Sequence, residues 1–179
     1  MILLWTTMQG SPVSSAIQWG LNGLSSHFAI ADYSYSDQGL VTHHNMLGFQ
    51  IDWLPEFLKH SKVVYALQPI EKDKALFRKI RSAIGSEYAD DVYDMPALAY
   101  FAGKVLQNKL LGSPIPRKNK WSRKHDPLCT GHAGVMFPIV PNWFSIPIED
   151  FDIIPPDDLF HNMKASGMFN DVTLKWRLG

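Results

Sequence analysis

Seven histidines and one cysteine are the side chains of this 179-residue chain best suited to moving protons and acyl groups. A cysteine thiolate attacks carbonyl carbon well only when a base is close enough to take the thiol proton and return it to the leaving group. Histidine fills that role because its ordinary pKa lies near neutrality. Cys129 follows Asp126 and Pro127, which read as an N-cap and a first helical residue. That spacing sets Cys129 in the first turn of the helix that follows, where unpaired backbone N–H groups and the helix dipole favour the anion. Gly131 and Gly134 weaken such a helix, so close packing must hold it. A lone cysteine is also, and more often, a small buried hydrophobe, because one thiol cannot form an internal disulfide.

His27 opens an apolar stretch over residues 27–33, and His43 and His44 close a second over residues 39–44. Both stretches read as strands. Alternation along a strand sends His43 and His44 to opposite faces, so at most one can share a site with His27. The one that does would hold the His27 ring in its productive orientation, the third role in a Cys–His–polar arrangement. Two other chemistries compete. His125, Cys129 and His132 place three zinc-type ligands within eight residues, without a fourth adjacent ligand or a paired cysteine. Arg117, Lys118, Lys120, Arg123 and Lys124 surround Trp121, a pattern suited to phosphate contact and base stacking. A solvated loop is the plainer reading of that run.

Elements of mixed type must position these residues. Ser11 and Pro12 cap a short helix that stops near Gly20 or Gly23. The segments 27–33, 39–44 and 46–51 form an antiparallel meander; Asp52 caps a short helix through Phe57 and Leu58, and residues 62–67 return as a strand closed by Pro69. Residues 72–84 repeat apolar Leu76, Ile80 and Ala83 at helical spacing up to Gly85. Asp94 caps a longer helix carrying Leu98, Phe101, Val105 and Leu106 to Gly112 and Pro114. Residues 117–125 read as an exposed loop, the run to Pro156 as extended, and Asp157 opens a last helix. The expectation is a single α+β domain over residues 1–179.

Composition agrees with a globular chain: 46% of residues are hydrophobic, 12% aromatic and only 19% charged. Seventeen basic residues balance seventeen acidic ones, which argues against chain-wide affinity for nucleic acid. The balance conceals five positives at 117–124 and five negatives, Glu149, Asp150, Asp152, Asp157 and Asp158. No run approaches the roughly 20 apolar residues of a membrane span, and residues 1–5 lack a basic leader. The expected compartment is the cytoplasm, with release by lysis or packaging in a particle left open.

Ser14, Ser15, Ala16, Ile17, Gln18 and Trp19, followed by Gly23, Leu24, Ser25, Ser26, His27, Phe28, Ala29 and Ile30, resemble the opening of the circularly permuted NlpC-type papain-like cysteine hydrolases. These are relatives of cell-wall peptidases and lecithin:retinol acyltransferase-like enzymes. The second strand and short helix over 39–58, the Tyr93 and Asp94 pair, Cys129, and the closing Pro155, Pro156, Asp157, Asp158 and Leu159 follow in that family's order. The resemblance implies a permuted papain-like fold, an antiparallel sheet or small barrel with packed helices. It implies Cys129 as nucleophile, His27 as base and His43 as orienting group, with His44 one step out of register and Tyr93 lining the pocket. It implies no cofactor or metal. The substrate would be a peptide, cell-wall or other small molecule, peptidoglycan first and lipid ester or thioester second, with acyl transfer as the variant reaction. The chain departs from the family where Thr130 and Gly131 follow Cys129 in place of Ser-Glu, and where a histidine, His43, replaces an acidic residue. A non-catalytic binding or structural module is the alternative.

Overall fold

The computed structural model describes residues 1–33, 37–45, 47–89, 95–114, 130–147 and 154–177. Six strands, β1 (Ile2–Met8), β2 (His27–Asp32), β3 (Leu40–Asn45), β4 (Gly48–Trp53), β5 (Ser61–Pro69) and β6 (Phe169–Asp171), form one antiparallel sheet in the order β4-β3-β2-β1-β5-β6. The sheet is open and does not close into a barrel: β4 and β6 are its edges among the described residues. Seven α-helices accompany it there: α1 (Pro12–Leu21), α2 (Leu54–His60), α3 (Lys74–Tyr88), α4 (Met95–Leu111), α5 (Gly131–Met136), α6 (Pro156–Ala165) and α7 (Thr173–Arg177). The class is α+β, as composition and patterning indicate.

Helices cover both faces of the sheet, and strand alternation divides the core accordingly. On one face Leu3, Trp5, Phe28, Ile30 and Leu67 pack with α3, α5 and α6. On the other, Leu4, Ala29, Ala31, Val41, Val63 and Ala66 pack with Leu54 and Phe57 of α2 and, beside them, Trp176 of α7. This explains why β1 is absent from the expected strands. A central strand covered on both sides is apolar at consecutive positions, so residues 2–5 carry no alternation to read. Trp5 lies 5.0 Å from Phe28 and edge-on to Phe160 at 5.3 Å between ring centres. Burial of side chains such as Leu3, Leu4 and Trp5 contributes about 2–3 kcal/mol each.

Local rules account for most helix ends. Ser11 accepts the Ser14 N–H, Pro12 opens α1, and Asn22, in the left-handed conformation at φ 52°, closes it. The glycines flanking that stop serve packing instead: a Cβ on Gly20 would stand 2.3 Å from Val105 of α4. Asp73 caps α3, which runs through Gly85 to Tyr88 and not to a stop at Gly85. Ile80, Ile84 and Tyr88 are buried at helical spacing there, and their packing outweighs the roughly 1 kcal/mol cost of an interior glycine. α5 begins at Gly131 with Thr130 at its N-cap position, and the expected place of Cys129 in a first helical turn lies outside the described residues. β6 and α7, absent from the sequence expectation, are too short to carry a period. No helix of the described residues is long and apolar enough to cross a membrane.

Candidate active site

His27, His43 and Asp52 come from three adjacent strands and form a continuous ladder on the face covered by α2. Register pairs Ala29 with His43 and Val41 with Asp52, so the three side chains share that face. His27 Nε2 lies 3.0 Å from His43 Nδ1, and His43 Nε2 lies 2.9 Å from Asp52 Oδ2. Phe57 of α2 walls both rings, its centre 4.9 Å from His43 and 6.4 Å from His27. Both histidines are buried, whereas the Asp52 side chain is 43% exposed. Asp52 is therefore not the cap of α2: Trp53 holds that position without a side-chain bond, and the carboxylate turns to His43.

Burial sets the charge state of these rings. It pushes His27 down to about 3, with His43 and His44 adding to the effect. It also lowers His43, although the hydrogen bond and charge of Asp52 pull that ring back up. Both imidazoles are then neutral near pH 7, and the His43–Asp52 contact is a hydrogen bond to a neutral ring and not an ion pair. A neutral imidazole keeps a lone pair free to accept a proton, but burial that holds His27 near 3 makes it a weak base unless a negative charge beside it compensates.

His44 points through the opposite face. Its Nδ1 lies 3.2 Å from Nε2 of His132 on α5, and the two rings are boxed by Tyr88, Phe49 and each other. Burial, then the His43 charge, lowers His44 to about 4; burial first, then His44, His27 and His43, lowers His132 well below its ordinary value. His44 Nε2 and His132 Nδ1 are buried without a hydrogen-bond partner among the described residues. Tyr88 donates to the Gly131 carbonyl at 3.2 Å, tying the start of α5 to α3.

The strand start that presents His27 is held from two sides. Asp157, in the first turn of α6, accepts from Leu24 N at 2.7 Å, from Ser25 N at 2.9 Å and from the Ser25 hydroxyl. Ser14 of α1 shares hydrogen bonds with Ser26, Thr7 and Met8 N. Ser26 N donates to Thr6 O at 3.0 Å, which carries the chain into β2. The acidic residue of the closing Pro-Pro-Asp-Asp-Leu run thus fixes the loop before His27, across 132 positions of sequence.

Of the residues singled out by sequence, His27 and His43 come together, and His44 is on the far face, as alternation requires. Cys129 and Tyr93 lie outside the described residues, as do Asp94, Asp126, the basic run 117–124, and Glu149, Asp150 and Asp152. α5, the element after Cys129, packs on the His44 face. The zinc-type reading rests on His125 and Cys129, also outside; its third member, His132, directs Nε2 to His44. Among the described residues no cluster of three or more His, Cys, Asp or Glu side chains is arranged to hold a metal ion. Sequence reasoning missed Asp52 as a partner; its even spacing from Gln50 on β4 and its place opposite Val41 are the signals that it shares the His43 face. In comparisons with known proteins, the chain matches no family model, no curated protein and no solved structure.

Proposed function

We propose that the chain is a cysteine hydrolase of the permuted NlpC-type, papain-like kind, acting on an amide or peptide bond, with peptidoglycan peptide as the first substrate class. The observation that carries this reading is the buried ladder of His27, His43 and Asp52, a base oriented by a second ring. Cys129 Sγ gives its proton to His27 and attacks the carbonyl carbon. His27 returns that proton to the departing amine, leaving a thioester on Cys129. Water then attacks the thioester as His27 takes its proton, and the acid leaves with Cys129 restored as thiol. An alcohol or amine in place of water gives acyl transfer, and a lipid ester or thioester can enter the same sequence.

A second assignment of the base is favoured by one observation: α5, which follows Cys129, packs on the face of His44 and His132. Alkylation separates the two. The chain has a single cysteine, so iodoacetamide reports on one thiol. In the hydrolase, Cys129 reacts faster than free cysteine at pH 7, and His27→Ala slows it roughly tenfold or more. Slowing by His44→Ala alone moves the base to the second pair. Cys129 reacting no faster than free cysteine, unaffected by either substitution, would end the enzyme reading.

A further inference from the structure

We propose that Asp52 is a positioning residue, whose carboxylate fixes the direction of the hydrogen-bond ladder and leaves Nδ1 of His27 as the unprotonated nitrogen. Its use in catalysis rests on the hydrolase reading above, while the ladder rests on three described side chains.

The protons of the ladder are fixed from its outer end. A carboxylate offers only acceptor oxygens, so the 2.9 Å contact requires the hydrogen to sit on His43 Nε2. A neutral imidazole carries one N–H, so His43 Nδ1 is then a lone pair. The 3.0 Å contact between the rings must be donated by His27 Nε2, because the facing nitrogen has no hydrogen to give. His27 has spent its only N–H, and Nδ1 is left as the base. Both rings are neutral, because burial beneath Phe57 disfavours either imidazolium. Without the carboxylate the ladder has two equivalent directions. In the reverse one His43 donates to His27 Nε2, His27 carries its hydrogen on Nδ1, and the base is lost. An exposed oxygen at the outer end is therefore enough to choose the state of a buried nitrogen two rings away.

Asp52→Asn keeps the shape of the side chain but offers either an acceptor oxygen or a donor amide, so it no longer selects a direction. The half-exposed position tolerates the exchange, and a backbone amide spectrum checks the fold. The ring nitrogens of the full chain, labelled with 15N and read by two-bond proton–nitrogen correlation, report which nitrogen of each histidine bears hydrogen. The expected result is an Nε2–H form for both His27 and His43 in the native chain, and a mixture of the two forms for both rings in Asp52→Asn. Iodoacetamide labelling of Cys129 should slow roughly tenfold in the same variant. A native His27 bearing hydrogen on Nδ1, or ring forms unchanged by Asp52→Asn, would overturn the inference whatever the fate of Cys129. Ring forms that change as expected uphold the positioning role; the His27→Ala labelling result independently judges the hydrolase.

Discussion

At the scale of single residues, the two histidine pairs differ in how their outer nitrogens are satisfied, and stability should report the difference. His43 ends on a carboxylate, whereas the His44–His132 pair ends in two buried nitrogens without partners among the described residues. In a neutral pair one of those must be an N–H and the other a lone pair, each buried at a cost of about 1–3 kcal/mol. Removing one ring strands another nitrogen; removing both removes the debt. We therefore expect His44→Leu or His132→Phe alone to destabilise the fold, and the double variant to lose less than the sum, with a coupling of about 1 kcal/mol or more. Urea unfolding of the four proteins measures it, and strict additivity would refute the account. These pairs also mark the limit of what the sequence could convey. Alternation was sufficient to separate His43 from His44, because it is a local rule. Asp52 was misassigned because a carboxylate before a short helix is the ordinary cap, and only the β3–β4 register turns it toward His43.

At the scale of elements, two contacts hold the loop that delivers His27. Asp157 draws three hydrogen bonds from the exposed Leu24 and the buried Ser25, so Asp157→Ala takes the acceptor from the Ser25 donors and should cost about 1–3 kcal/mol. The same variant should raise hydrogen exchange of the Leu24 and Ser25 amides before those of β5. Unchanged exchange there would show that α6 does not hold the loop. α1 depends on a different device, the missing side chain of Gly20 against Val105. Gly20→Ala should destabilise by about 1–3 kcal/mol, and Val105→Ala in the same chain should recover part of the loss by opening the space. If the second substitution only adds to the damage, the α1–α4 contact is not what Gly20 serves. Apart from the five-residue α7, helix existence was readable from caps and periods. Helix extent was not, since Ile84 and Tyr88 carry α3 past a glycine for reasons of packing on a distant sheet.

At the scale of the whole molecule, four buried histidines tie stability to pH. His27 falls to about 3 and His44 to about 4 in the folded chain, while His43 and His132 are also lowered. The unfolded chain takes up these protons near pH 6.5 and the folded chain does not, so stability is full above that pH and is lost as pH falls below it. Each such histidine steepens the loss by about 1 kcal/mol per pH unit between 6.5 and its folded value. Thermal unfolding at pH 7.5 and 5.5 should show a marked fall in Tm, smaller in the His44→Leu and His132→Phe double variant; a flat profile would mean the rings are hydrated. The α+β class and the meander β2-β3-β4 were legible from the mix of helical periods, segments rich in strand formers and the turn-like stretch between β2 and β3. β1 was not, because its apolar residues 2–5 carry no alternation and no turn-like segment before them marks where a strand begins.

The far edge of the sheet has a kinetic meaning. Ala66 of β5 donates to the Thr173 hydroxyl and accepts from Val172 N, across more than a hundred positions of chain, and Arg177 reaches the Val64 carbonyl. Loops that long close late, after the β2-β3-β4 meander has paid its smaller entropy. Bonds made after the rate-limiting step do not speed its crossing; they slow the return. Thr173→Val should therefore leave the refolding limb of a chevron in place and raise the unfolding rate about fivefold, which makes this clasp a determinant of how long the native molecule lasts.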